Sequence, residues 1–262
     1  MIDQTFLHCT GIGPKTESRL KALGLHTWSD CISRAETLPF SAVKRTAFLR
    51  QIEESQTALT SHDIGYLVHR FPIKEHWRIL ASYFDQATFF DIETTGLSSF
   101  DSIITLIVAY HKGQLHTFLF QENLDDFLAL VEQSQLLVAF NGNSFDIPFI
   151  ERAFNIPDIG CPFIDLRWIC YHLEYRGGLK SIEKRLGIAR PGEIESIDGF
   201  EAVSLFLDWQ NGDLTAKDKL VAYCQADVLS SYLVANEILL RSKIPRPPLD
   251  PQSLFSTIQI KS

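Results

Sequence analysis

The stretch "FFDIETTGL", residues 89–97, places two carboxylates directly after a pair of aromatic residues. Alternate residues of a β-strand face the same side, so Asp91 and Glu93 point together while Phe90 and Ile92 point into the core. Ionised carboxylates next to a core are costly unless a cation pairs with them, and hard divalent cations prefer oxygen ligands. This stretch therefore predicts a buried strand that presents part of a metal site.

Two later stretches supply further oxygen ligands. In "VAFNGNSFDIPFI" a buried strand leads into a polar turn, with Asp146 near the start of the next helix. In "YCQAD", Tyr223 and Asp227 are four residues apart and share one face of a helix. A lone D-x-E on a strand, or a lone Y-x-x-x-D on a helix, is more often a solvated surface feature. If all four acids converge, however, they can hold two divalent cations of the kind that drive in-line displacement at phosphorus.

Size and composition set broad limits on the class of protein. The chain has 262 residues, of which 45% are hydrophobic and 21% charged, as is typical of a soluble globular protein. Apolar runs are too short for a spanning helix, and the first residues lack a secretory signal, so we expect a cytoplasmic protein without a membrane partner. Five cysteines without a C-x-x-C pair predict reduced, buried thiols.

A formal charge of -8 argues at first against a nucleic-acid partner, because phosphate contacts need lysine and arginine. The charge is unevenly distributed. Residues 1–85 hold 10 Lys and Arg against 9 Asp and Glu, whereas residues 86–262 hold 14 against 23. The acidity thus belongs to the part that carries the carboxylate motifs, where bound metal ions would neutralise some of it.

The hydrophobic pattern from Thr88 onward predicts an α/β domain. "TFFDIE", "SIITLIVAYHKG" and "QLHTFLF" read as strands, with a hairpin turn at 112–113, and "QLLVAF" reads as a fourth strand. Helices are predicted between and after them, with Asn123 as one N-cap and Thr215 with Asp218 as a capping box of the last helix. Residues 243–262, rich in proline, are predicted to form an extended tail.

The first 85 residues are predicted to form a small all-α region. "TGIGPKTESRL" reads as a tight turn between two short helices, the second from about Pro14 to Leu23, and a further helix is expected from Ala42 to Leu59. The amide N–H groups at such a turn can cradle a phosphate. A glycine-rich turn between two core helices gives the same string, so both interpretations stay open. The candidate binding residues are Gly11, Ile12, Gly13, Lys15 and Thr16.

In this order the three motifs resemble those of the DnaQ-like, or DEDD, 3′-to-5′ exonucleases of the RNase H-like superfamily, and most of all the bacterial YprB-type RNase H-like proteins. Tyr223 matches the tyrosine of the DEDDy branch, and Ala222 stands where the other branch has histidine. The resemblance covers residues 86 to about 240. It implies a mixed five-stranded sheet flanked by helices over 86–242, while residues 3–30 resemble a helix-hairpin-helix, which binds DNA backbone.

The resemblance also implies a function. Asp91, Glu93, Asp146 and Asp227 would bind two divalent cations, Mg²⁺ or Mn²⁺, and Tyr223 would orient the attacking water. The activity would be hydrolysis at nucleic-acid 3′ ends, with DNA favoured over RNA, releasing nucleoside 5′-monophosphates. An RNA 3′-end exonuclease and an inactive nucleic-acid-binding scaffold with the same fold are the alternatives.

Four further residues are candidate contacts to nucleic acid in the larger domain. Asn141 and Asn143 flank Gly142 near the second motif, where turn chemistry alone also explains them. Lys180 and Lys184 lie on a basic helix that could follow a phosphate backbone, although such a run is more often a solvated face.

Overall fold

The structure, a computed structural model, describes residues 1–195, 197 and 199–258. It divides the chain into two compact units, Met1–Phe84 and Asp85–Ser262. Within the described residues no helix is both long enough and apolar enough to cross a bilayer.

The first unit is entirely helical in its regular structure. Its core is aromatic: the Trp28 indole donates a hydrogen bond of 2.8 Å to the Thr5 carbonyl, and the His8 ring stacks on Phe71 at 4.6 Å. Three short 3-10 turns lie at Ile2–Gln4, Ala35–Thr37 and Ile73–Glu75. The α-helices are α1 Pro14–Ala22, α2 Trp28–Ser33, α3 Ala42–Thr60, α4 Ile64–Arg70 and α5 His76–Tyr83.

The N-terminal hairpin differs from the expected pair of helices. Helix α1 follows the turn as predicted, but the residues before the turn form only Ile2–Gln4 and a series of tight turns. The cause is Glu17 on α1, whose Oε1 accepts hydrogen bonds from the Thr5 hydroxyl at 2.8 Å and from the Phe6 amide at 2.7 Å. These bonds hold the backbone at Thr5 and Phe6 out of a helix.

The second unit is built on one mixed five-stranded sheet, as the sequence predicts. The strand order is β3-β2-β1-β4-β5, with β1 antiparallel to β2 and parallel to β4. The turn at Lys112 and Gly113, both with positive φ, joins β2 to β3 as predicted. The strands are β1 Ala87–Thr94, β2 Ile104–His111, β3 Gln114–Leu119, β4 Leu136–Ala139 and β5 Phe163–Asp165.

Helices cover the sheet of the second unit. A 3-10 turn, Phe84–Gln86, leads into β1. The helices are α6 Asp126–Gln133, α7 Asp146–Ala153, α8 Leu166–His172, α9 Leu179–Leu186, α10 Gly192–Glu195, α11 Gly199–Gln210, α12 Leu214–Arg241 and α13 Pro251–Phe255. Phe90 and Ile92 pack in one core cluster with residues of α6 and α7. On the opposite face, Phe89 contacts Tyr232 of α12 with ring centroids 5.2 Å apart.

Two predicted helix caps are wrong. Asn123 does not begin α6: its side chain accepts from the Leu119 amide and donates to the Thr117 carbonyl, which closes the turn after β3. The N-cap of α12 is Asp213, two residues before the predicted cap Thr215, because Asp213 accepts from the Thr215 amide at 2.8 Å and from the Ala216 amide at 3.1 Å.

The predicted extended tail, 243–262, contains a helix. Asp250 caps α13 by accepting from the Gln252 amide, and Pro251 occupies the first helical position, where its fixed φ is favourable. Phe255 of this helix is buried. Residues 259–262 lie outside the described part of the chain.

Candidate functional site

The five residues of the three motifs line one cavity of about 610 Å³ in the second unit. Its other walls include the turn after β1 and the first turns of α11. The residues brought together are Asp91, Glu93, Asp146, Tyr223 and Asp227.

Three adjacent elements position these side chains. Asp91 and Glu93 alternate along β1, the central strand, so both lie on the face opposite Phe90 and Ile92. Asp146 is the first residue of the helix that follows β4, the parallel neighbour of β1. The third motif lies on α12, whose four-residue spacing places its tyrosine and aspartate on the same face. The site forms because β1 and β4 are neighbours in the sheet and α12 packs against β1.

Burial and, after it, repulsion between neighbouring carboxylates govern the pKa values in the cavity. Burial, together with the neighbouring charges of Asp146 and Asp227, raises the pKa values of Asp91 and Glu93 well above their ordinary values. Lys180 opposes this for Glu93 by lowering its pKa. Such a set of carboxylates ionises together only when positive charge is supplied.

Asp146 shows the fit to a cation most clearly. The residue is 3% exposed, and its Oδ1 is buried without a hydrogen-bond partner in the described structure. Burial raises the pKa of Asp146 to about 7, and repulsion from Asp165 adds to the shift. A buried, unpartnered carboxylate oxygen, in a cavity that three further carboxylates also line, is suited to a hard divalent cation.

One close group of possible ligand atoms includes a residue that was not among the predicted ligands. Asp91, Glu93 and Cys224 each offer an atom within 4.8 Å of the others. The Cys224 Sγ lies 3.6 Å from both the main-chain carbonyl oxygen and the Oδ2 of Asp91. Burial and the nearby carboxylates raise the pKa of this thiol well above its ordinary value. The sulfur therefore stays protonated and donates a hydrogen bond to Asp91.

Arg190 forms an ion pair with Asp227, the aspartate of the third motif. Its Nη2 donates to Asp227 Oδ1 at 2.5 Å, and its Nε donates to Glu183 Oε1 at 2.8 Å. Arg190 follows the basic helix that carries Lys180 and Lys184, but its side chain is only 3% exposed. No local pattern marks this ion pair, since its partners lie 7 and 37 residues away.

Asp165 fixes the turn that carries the second motif. Its carboxylate accepts from the amides of Asn141 at 2.9 Å and Asn143 at 3.3 Å, and it also caps α8. Asn141 adopts a positive φ, while Gly142 lies so close to Phe163 that a Cβ would come within 2.7 Å of the ring. Turn chemistry thus accounts for both asparagines, although Asn141 also lines the cavity.

The two candidate lysines differ in position. Lys180 lies 5.3 Å from the Tyr223 ring centroid and donates to the carbonyl of Ile197, at the edge of the carboxylate site. Lys184 is exposed and is not among the residues that line the cavity.

Tyr223 stays protonated in this site. Burial, and secondly the charges of Asp227 and Glu93, raise the pKa of its hydroxyl.

The hairpin candidates lie in the first unit. Gly11 and Gly13 are exposed and Ile12 is buried. Lys15 and Thr16 line a cavity of about 390 Å³, to which α3 also contributes. The remaining lining residues are Arg19, Pro39, Phe40, Ser41 and Lys44.

One family model matches most of the larger unit. The family model of the RNase_H superfamily matches residues 88–239, a span that starts in β1, ends in α12 and contains all five motif residues. The chain belongs to the RNase_H superfamily. The α/β architecture of the second unit is consistent with this family.

Two DNA polymerases are similar to this chain. A DNA polymerase of Archaeoglobus fulgidus is 23% identical over 232 residues, covering 74% of this chain and 29% of the polymerase. The solved family B DNA polymerase of the hyperthermophilic archaeon Pyrobaculum calidifontis matches with 18% identity and a TM-score of 0.48, covering 60% of this chain and 25% of that chain. The chain therefore spans less than a third of the length of either polymerase.

Proposed function

We propose that this protein is a metal-dependent 3′-to-5′ exonuclease of the DEDDy type that acts on DNA. Its membership of the RNase_H superfamily supports nuclease activity in general, and that superfamily generally uses divalent metals. The observation that carries the proposal is the convergence of four carboxylates on one cavity, with a buried Asp146 oxygen that has no partner among the described residues.

In this proposal Asp91, Glu93, Asp146 and Asp227 hold two divalent cations. When bound, these ions would activate water and stabilise the attacking and leaving oxygens at phosphorus. Hard oxygen donors suit Mg²⁺ or Mn²⁺ better than softer metals. Without cations, the raised pKa values of Asp91 and Glu93 show that the carboxylates resist full ionisation.

Tyr223 has a positioning role at the same cavity. Its raised pKa keeps the phenol neutral near pH 7, so the hydroxyl can orient a water but is a poor base. Lys180 lies against the tyrosine ring and lines the adjoining pocket with Asp91 and Asp227. Its ammonium group can contact a substrate phosphate there. Products of this reaction would be nucleoside 5′-monophosphates.

The N-terminal unit favours DNA as the substrate. A tight glycine turn precedes the N-terminus of α1, where Lys15 and Thr16 lie in its first turn. Lys44 of α3 donates to the Gly11 carbonyl at 3.2 Å and so adds a second cation beside this turn. Amide groups and lysines in this arrangement bind a phosphate backbone without reading base sequence. The similar proteins are also DNA polymerases by name.

The nuclease assay uses 5′-labelled single-stranded DNA and RNA with Mg²⁺ or Mn²⁺. It compares wild type with Asp227→Asn and with Glu132→Gln, which changes an exposed carboxylate of α6 outside the cavity. We expect a ladder of shortened 5′-labelled DNA with wild type and Glu132→Gln, and none with Asp227→Asn or EDTA. If RNA is shortened and DNA is not, RNA rather than DNA is the substrate. No shortening of either by wild type would favour an inactive binding scaffold.

A separate measurement tests the hairpin. DNA affinity is measured as a function of salt for wild type, for Lys15→Ala and for Arg50→Ala, which removes an exposed arginine of the same unit that lies outside the Lys15 cavity. Loss of one phosphate contact should reduce the slope of log affinity against log salt by about 0.7 to 0.9. An unchanged slope for Lys15→Ala would remove the hairpin from the proposal but leave the nuclease site untouched.

A further inference from the structure

Arg190 connects two helices beside the carboxylate cavity. It lies after α9 and contacts Glu183 of α9 through Nε, and Asp227 of α12 through Nη2. The side chains of Arg190 and Glu183 are 3% and 4% exposed, whereas that of Asp227 is 14% exposed on its cavity side. A buried ion pair adds little net stability, because desolvation offsets most of the attraction. Its position therefore calls for an explanation other than stability.

The contact constrains how Asp227 presents its oxygens. Its Oδ1 accepts from Arg190 at 2.5 Å, so Oδ2 is the oxygen left for a partner in the cavity. The guanidinium is planar and its two contacting nitrogens are fixed relative to each other. With Nε held by Glu183, the plane of the guanidinium is set, and so is the oxygen that it engages.

Charge balance explains why Glu183 is present. An arginine alone beside Asp227 would weaken binding of a cation by that carboxylate, since it supplies positive charge already. Glu183 is buried against the same guanidinium, and the pair has no net charge. Arg190 can therefore orient Asp227 with little electrostatic penalty to a nearby cation.

We propose that Arg190, held by Glu183, is a positioning residue that fixes Asp227 for metal binding. This inference rests on the proposed function, because it takes Asp227 as a ligand. Groups that orient a metal ligand typically account for about 10- to 100-fold in metal affinity. We expect a loss of that size when the pair is removed.

The decisive variant is the double substitution Arg190→Met with Glu183→Gln, which removes both buried charges together and so isolates orientation. Mn²⁺ affinity is measured by electron paramagnetic resonance of free Mn²⁺, with thermal unfolding of the EDTA-treated protein as a check on folding. The matched control is Arg241→Met with Glu237→Gln, an ion pair of α12 that does not line the cavity. We expect about 10- to 100-fold weaker Mn²⁺ binding in the first double variant and wild-type binding in the control.

Two further experiments test the inference if the double variant does not fold: the variant Arg190→Lys, and the addition of guanidinium ion to Arg190→Ala. Lysine retains the charge without the planar fork, so Mn²⁺ binding should weaken although the protein folds. Added guanidinium ion should restore Mn²⁺ affinity to Arg190→Ala but not to Asp227→Asn. Wild-type Mn²⁺ affinity in the folded double variant, or in Arg190→Lys, would overturn the inference. If instead wild type and Asp227→Asn bind Mn²⁺ equally, Asp227 is no ligand and the proposed function fails at its source.

Discussion

Replacing Asp146 by asparagine should make the metal-free protein more stable at alkaline pH, because the change removes a buried carboxylate that resists ionisation. In the folded protein burial raises the pKa of Asp146 from 3.8 to about 7. Between these two values the folded protein holds a proton that the unfolded chain releases. Stability contributed by this group is therefore complete below about pH 4 and is lost as the pH rises to 7.

The magnitude follows from the pKa values. A tenfold change in proton affinity corresponds to about 1.4 kcal/mol. Relative to its value below pH 4, the unfolding free energy is therefore lower by about 4 kcal/mol at pH 8 and by about 2 kcal/mol at pH 5 because of the raised pKa of Asp146. Asparagine carries no such cost at either pH. Whatever packing cost the amide brings is the same at both values, so the difference between pH 8 and pH 5 isolates the ionisation.

Thermal unfolding in EDTA, at pH 5 and pH 8, measures this effect. Relative to wild type, Asp146→Asn should gain about 2 kcal/mol more at pH 8 than at pH 5, which is roughly 4–8 °C in Tm for a unit of this size. Asp208→Asn, on the exposed surface of α11, is the matched control and should show no such pH dependence. Saturating Mg²⁺ at pH 8 should stabilise wild type but not Asp146→Asn.

Equal changes in stability at both pH values would refute this reasoning, because they would mean that Asp146 does not hold a proton in the folded state. So would Mg²⁺ stabilisation of Asp146→Asn as large as that of wild type.

Three further predictions concern other residues of the site. Tyr223→Phe should lower kcat roughly 100-fold with little change in KM, measured by single-turnover and steady-state DNA hydrolysis, because only the oriented hydroxyl is lost; unchanged kcat would contradict this role. Lys180→Met should raise the pKa of Glu93 and shift the pH midpoint of Mn²⁺ binding upward, since Lys180 lowers that pKa in wild type; a midpoint that stays or falls would be inconsistent. Gly142→Ala should lower the unfolding free energy by about 1–3 kcal/mol in urea denaturation, because its Cβ would come within 2.7 Å of Phe163, whereas Gly192→Ala, with open space at its Cβ, should not.

Sequence patterns predicted four of the five strands and the face that each paired motif residue occupies, because both depend on local periodicity. The short strand β5 was predicted by no such pattern. Two-residue alternation placed Asp91 and Glu93 on one face of β1, and four-residue spacing placed Tyr223 and Asp227 on one face of α12. The sheet order then brings the strands and helices that carry them together.

The supporting contacts could not be predicted in the same way. Arg190 contacts Asp227, 37 residues away, and Asp165 contacts Asn141, 24 residues away. No periodic sequence pattern predicts either pair. The predicted helix before the N-terminal turn was wrong for a similar reason. Glu17 accepts a hydrogen bond from the Thr5 side chain, and this contact outweighs the local preference for a helix.

A crystal soaked in Mn²⁺ and measured at the manganese absorption edge tests the central claim most directly. We predict anomalous difference peaks in the cavity, within coordination distance of Asp91, Glu93, Asp146 and Asp227, and their loss in crystals of Asp227→Asn. Absence of any peak at these carboxylates in a well-diffracting soaked crystal, with Mn²⁺ bound elsewhere on the surface, would contradict the account.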